Sequence, residues 1–87
     1  ISTNTTISPF AQIVHCTAST TQTLSPAADW IVNGKSIEIA IKNVAGVGDT
    51  VTITPDGTET IDGAVDATLN QYESAILYSD GTNIFIK

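Results

Sequence analysis

Val51-Thr52-Ile53-Thr54 runs into Asp56-Gly57, Thr60-Ile61 into Asp62-Gly63, and Ala75-Ile76-Leu77-Tyr78 into Asp80-Gly81, before Ile84-Phe85-Ile86 closes the chain. Apolar residues alternate with polar ones in each run, which is the period of a half-buried strand. Asp-Gly suits the tight turn of a hairpin, because that turn needs positive φ and glycine adopts it without a steric penalty. The second half of the chain therefore predicts short antiparallel strands joined by tight turns.

The same reading extends toward the N-terminus. Residues 36–43 are the cleanest strand: Ile37, Ile39 and Ile41 share one face, and Glu38, Ala40 and Lys42 share the other. Asn33-Gly34 is a further tight-turn signal. Ser25-Pro26-Ala27-Ala28-Asp29-Trp30 interrupts the pattern, since proline fixes its own φ and lacks a donor; the stretch predicts the longest loop, with room for one helical turn. Residues 10–18 and 21–24 read as strands. Phe10, Gln12, Val14, Cys16 and Ala18 lie on one face of the first, and Ala11, Ile13, His15 and Thr17 on the other. Residues 1–9 read as an extended arm. Roughly seven or eight strands and no amphipathic helix result. The expected fold is all-β, a small β-sandwich or barrel-like unit of short antiparallel strands. The turns are spaced too irregularly for a solenoid.

With 87 residues, the chain is expected to form a single domain over 1–87. A domain this small buries a limited core, and its one cysteine offers no internal disulfide. Oligomerisation is the remaining way to enlarge the core. With no Met, the chain is expected to be a processed product or a fragment of a longer one. The net charge is −6, with only three basic residues, all lysine. That leaves no basic stripe for nucleic acid and disfavours an anionic membrane surface. No apolar run is long enough to insert into a membrane. Thr and Ser make up about a quarter of the residues, which gives the solvent side of the strands polarity with few charges. Asn4-Thr5-Thr6 matches the glycosylation pattern, a short match readily met by chance in a Thr-rich arm.

The chain from Leu24 to Lys87 resembles a recurring module of bacteriophage tail fibres and tailspikes. The resemblance is carried by residues 48–64, GDTVTITPDGTETIDGA, and 71–83, QYESAILYSDGTN. It extends upstream to Leu24-Ser25-Pro26-Ala27-Ala28, to Gly34-Lys35-Ser36-Ile37-Glu38-Ile39 and to Lys42-Asn43. Two departures from the family's pattern stand out: Ile84 and Phe85 stand where a Trp and a Tyr are usual, and Trp30 occupies a loop that usually holds small polar residues. The resemblance implies a homotrimeric, β-structured viral protein. It would be a structural part of the virion, facing outward, serving trimerisation, capping or host-receptor attachment, with a host surface glycan as a partner. The competing expectation is a monomeric carbohydrate-binding module of a secreted bacterial protein.

Residues that bear chemistry are few, and no enzyme is expected. His15 and Cys16 are adjacent on a strand and point to opposite faces, so they cannot form a nucleophile–base pair. Asp56, Glu59, Asp62 and Asp66 sit mostly in turns, and their spacing selects neither a glycosidase pair nor a calcium loop. No catalytic residue, metal or cofactor is assigned. Trp30, with Asp29 and Asn33, is the candidate ligand site: an aromatic face covers sugar C–H groups while amide and carboxylate bond the hydroxyls. The commoner alternative for a lone Trp is burial at the end of the sandwich or against a neighbouring subunit. Ile37, Ile39, Ile41, Tyr78, Ile84 and Ile86 are the candidates for a trimer interface, where a threefold axis would bury the same strip from three chains.

Overall fold

Most of the alternating segments contain strands, but 36–43 is broken at Ile37 and Glu38, and the expected N-terminal arm forms a strand at Thr5–Ile7. The computed structural model describes residues 1–10 and 13–87. Ala11 and Gln12, and with them the middle of the 10–18 segment, lie outside the described residues. Ten strands are present among the described residues: β1 (Thr5–Ile7), β2 (Ile13–Cys16), β3 (Thr20–Leu24), β4 (Ile31–Val32), β5 (Lys35–Ser36), β6 (Ile39–Asn43), β7 (Val51–Thr54), β8 (Ala67–Leu69), β9 (Ser74–Ser79) and β10 (Ile84–Ile86). The Ser25–Trp30 interruption contains a single 3-10 turn, Ala27–Trp30. Residues 58–61 do not form a strand; Ile61 makes only isolated bridges, to Ala64 and Ile84.

Two four-stranded sheets face each other. Sheet A has the order β1-β3-β7-β8 and sheet B the order β10-β9-β6-β2, with β4-β5 as a small separate hairpin. The fold is all-β, as expected, but the sheets are mixed rather than antiparallel. The pairs β1–β3, β2–β6 and β3–β7 run parallel. The pairs β6–β9, β7–β8, β9–β10 and β4–β5 run antiparallel. From β1 to β3 the chain changes sheet at every strand, and it does so again from β6 to β7, so that successive turns of the winding stack in parallel. The stacking is solenoid-like despite the irregular turn spacing, because the excursion between β3 and β6 leaves the winding and returns to it. Period-two alternation sets which side chains face inward, but it is the same for a parallel and an antiparallel neighbour.

The turn chemistry explains where the chain does double back. Asn33 and Gly34 both adopt positive φ, 53° and 77°, which is the backbone of the tight hairpin turn that joins β4 to β5. Asp62 and Gly63 do the same at 50° and 81°, and the Ile61 and Ala64 backbones exchange hydrogen bonds across them.

The core lies between the sheets. Sheet A contributes Ile7, Leu24, Val51, Ile53 and Leu69; sheet B contributes Val14, Cys16, Ile39, Ile41, Ala75, Leu77 and Ile84. Ala27, Trp30 and Ile61 close it from the connections. Each large apolar side chain fully removed from water contributes about 1.5–3 kcal/mol. Gln22 and Asn43 are polar residues fully buried among them. Gln22 donates to the Thr3 carbonyl and the Thr20 hydroxyl. Asn43 donates through Nδ2 to the Asp49 and Leu69 carbonyls, both at 3.0 Å, and accepts the Ala45 N–H at 2.9 Å.

Asn43→Ala leaves two carbonyls and one amide of the interior without partners, at about 1–3 kcal/mol for each group that stays dry. The expected result is a loss of roughly 3 kcal/mol or more in urea denaturation, comparable to Leu77→Ala in the centre of the core.

Candidate functional site

The outer faces of the two sheets differ in chemistry. On sheet A the outward positions of β3 and β7 are Thr21, Thr23, Thr52 and Thr54. Their registers continue onto both edge strands. Thr6, Thr23 and Thr54 form one cross-strand row. Thr21, Thr52 and Thr68 form a second. Strands lie about 4.8 Å apart and alternate residues about 6.7 Å apart, so the rows make a regular array of hydroxyl and methyl groups. At one end, Asn4, Ser19, Thr20, Thr21, Thr50 and Thr52 line an open cleft of about 330 Å³. Its walls are held by hydrogen bonds from the Thr21 N–H to Asn4 Oδ1 at 2.8 Å and from the Thr50 N–H to the Ser19 hydroxyl at 3.1 Å. Such a surface offers donors and acceptors without net charge, which suits a neutral, hydroxyl-rich ligand.

Sheet B turns an apolar band outward. Ile13, Ala40 and Ile76 stand in register across β2, β6 and β9. Beside them Tyr78 and Phe85 stack with ring centroids 5.6 Å apart. Ile13 is 71% exposed and Ile76 44%. A charged pair, Glu38 and Lys87 at 2.6 Å, flanks the band. The Glu38 carboxylate raises the Lys87 pKa above its ordinary value.

Trp30 does not form a sugar platform. Its ring is completely buried, and Nε1–H donates to the Ser25 carbonyl at 3.1 Å. Asp29 and Asn33 are exposed on either side of it, without an aromatic face between them. The loop is tied inward at three points: the Ser25 hydroxyl donates to the Ile7 carbonyl, the Ala27 N–H to the Glu59 carboxylate, and the Ser79 hydroxyl to the Ala27 carbonyl. These ties bury the Trp30 ring. Of the six candidate interface residues, Ile39, Ile41 and Ile84 are fully buried within the chain, and Ile37 packs against that core. Ile39, Ile41 and Ile84 satisfy their apolar surface within one chain, whereas Ile37 stays partly exposed. Tyr78 and Ile86 are the two left exposed.

His15 is exposed and Cys16 buried, on opposite faces of β2 as expected. Burial pushes the Cys16 thiol up. Glu59 bonds the Ala27 N–H, and Asp62 accepts from the Ile86 N–H at 3.1 Å, so both serve the backbone. Among the described residues, no three His, Cys, Asp or Glu side chains come together as a metal site. No helix among them is long and apolar enough to cross a membrane. Asp80 accepts the N–H groups of Thr82 and Asn83, each at 2.8 Å, and these bonds, Asn83's first, hold its carboxyl below the usual range. Compared with known proteins, the chain matches no family model, no curated sequence and no solved structure.

The threonine rows and the apolar band are the surface features that residue-by-residue reading does not find. Thr-x-Thr in Thr21-Gln22-Thr23 and Thr52-Ile53-Thr54 was a local signal, but only the parallel register aligns the two motifs.

Two outcomes follow for these groups. Native Cys16 reacts with a thiol reagent at least about tenfold more slowly than in urea, followed by the release of a chromogenic leaving group, because a buried, protonated thiol is a poor nucleophile. Asp80 is charged more readily in the folded than in the unfolded chain. Its stabilisation is present above the unfolded pKa and is lost as pH falls through the folded one. Asp80→Asn therefore flattens the decline in the urea midpoint between about pH 5 and about pH 2.

Proposed function

We propose that this chain is a non-enzymatic structural module of a bacteriophage tail fibre or tailspike, assembled as a homotrimer and facing outward from the virion. The observation that carries the reading is the division between the outer faces. The apolar band of Ile13, Ile76, Tyr78 and Phe85 faces the threefold axis, and the threonine rows of sheet A face away from it. Cyclic assembly buries one strip from each chain and enlarges a core that is small in a single copy. The resemblance of residues 24–87 to tail-fibre modules supports the same assignment.

In this arrangement the cleft at Asn4, Thr21 and Thr52 meets a host surface glycan through hydroxyl hydrogen bonds. Each contact is weak, and three copies on one rigid axis raise the effective affinity by avidity. A second reading, a monomeric carbohydrate-binding module of a secreted bacterial protein, is favoured by the same cleft. Trp30, the aromatic platform expected for such a module, is buried and does not serve it.

Light scattering coupled to size-exclusion chromatography separates the two. The expected result is the mass of three 9.1 kDa chains, falling to one on Ile76→Glu. A wild-type monomer at every concentration overturns the trimer, and glycan binding by that monomer, lost on Thr52→Val, supports the second reading.

A further inference from the structure

The parallel ladder of sheet B continues past β2. The Ile1 amino nitrogen donates to the His15 carbonyl at 2.6 Å, and the Thr17 N–H donates to the Ile1 carbonyl at 2.8 Å. Bonds to the residues on either side of Cys16 are the pattern of a parallel bridge. Ile1 therefore stands opposite Cys16 on the side of β2 away from β6, as Cys16 stands opposite Asn43 on the other side. The step from Ile1 to Cys16 is 15 residues, and the step from Thr5 to Gln22 in sheet A is 17, so both describe one turn of the same winding. Ile1 thus adds one parallel position to sheet B beyond β2.

We infer that the outer edge of β2 is a slot for one further parallel strand, running into Ile1 from its N-terminal side. Its occupant is an extended polypeptide with an apolar residue at every second position. Alternation along β2 directs the Ile13 carbonyl and the His15 N–H away from β6. The residue two ahead of Ile1 donates to the first and accepts from the second. It stands opposite Val14, which is 5% exposed and turned inward, so its side chain is apolar. The residue between it and Ile1 turns outward beside His15 and is polar. Recognition is by main chain, as in other strand additions, with the inward side chain setting register. The inference does not rest on the trimer proposed above.

The test uses the 87-residue chain with Thr-Val-Thr fused ahead of Ile1, compared with Thr-Pro-Thr and with the unextended chain. Proline at the central position has no N–H for the Ile13 carbonyl. The expected result for Thr-Val-Thr is a Tm higher by about 4 °C and exchange of the His15 amide slowed about tenfold. Thr-Pro-Thr is expected to match the unextended chain in both. Equal behaviour of the two extensions overturns the inference. So does a His15 amide already protected in the unextended chain in a concentration-dependent way, because the edge would then be filled by a second copy.

Discussion

The fold depends on one buried amide. Asn43 ends β6, and its side chain holds the Ala45 N–H and the Asp49 carbonyl of the connection to β7 together with the Leu69 carbonyl of β8. Its own backbone donates to the Glu73 carbonyl at 3.0 Å and accepts the Tyr72 N–H at 2.7 Å. Sheet B, the crossover to sheet A and the approach to β9 all meet at this residue. Tyr72 adopts a φ of 63°, unfavourable for a bulky side chain, and the bond to Asn43 holds it there. In a chain with one buried thiol and no disulfide, a fully satisfied polar joint does what a covalent staple does in other small domains.

Around that joint the chain builds two faces of opposite character from the same rule. Inward positions alternate with outward ones on every strand, so the residues that fill the core also fix what solvent meets. The inward sets of β3 and β7 are Thr20, Gln22 and Leu24 against Val51 and Ile53, which leaves threonine outward on both. On sheet B the inward sets are Ile39, Ile41 and Leu77, which leaves Ala40, Ile76 and Tyr78 outward. The parallel pairing aligns each outward residue with its counterpart on the next strand. A composition rich in threonine thereby becomes an ordered surface.

Most of the strands were legible because their alternation is strict. Residues 36–43, 50–54 and 73–79 all contain the strands expected of them, and Asn33-Gly34 makes the hairpin turn its sequence predicts. Strand direction was legible at the C-terminal hairpin, where Asp80-Gly81 joins β9 to an antiparallel β10, but not in the parallel pairs. Nothing in Thr20–Leu24 distinguishes a parallel partner 31 residues downstream from an antiparallel one nearby. The Asp-Gly pairs at 56–57 and 62–63 suggested hairpins, yet they shape the 55–66 connection from β7 to β8. The surface was harder still. Trp30 reads as an exposed loop aromatic until the distant contacts from Glu59 and Ser79 draw its loop inward. Ile37, Ile39 and Ile41 read equally well as core or as interface, and the second sheet decides for the core.

The winding also dictates an order of events during synthesis. Thr20 pairs with Val51 and Ile13 with Ala40, so β2 and β3 each await a strand that leaves the ribosome about 30 residues later. Before then the N-terminal third can join only β1 to β3, and the apolar side chains of β2 have no sheet to enter. Sheet B closes when β6 meets β9, about 35 residues after β6 begins. A topology dominated by such distant pairings folds slowly, because each closure loses chain entropy before its contacts form. Until β6 follows, the nascent chain leaves β2 unpaired and exposes Val14 and Cys16.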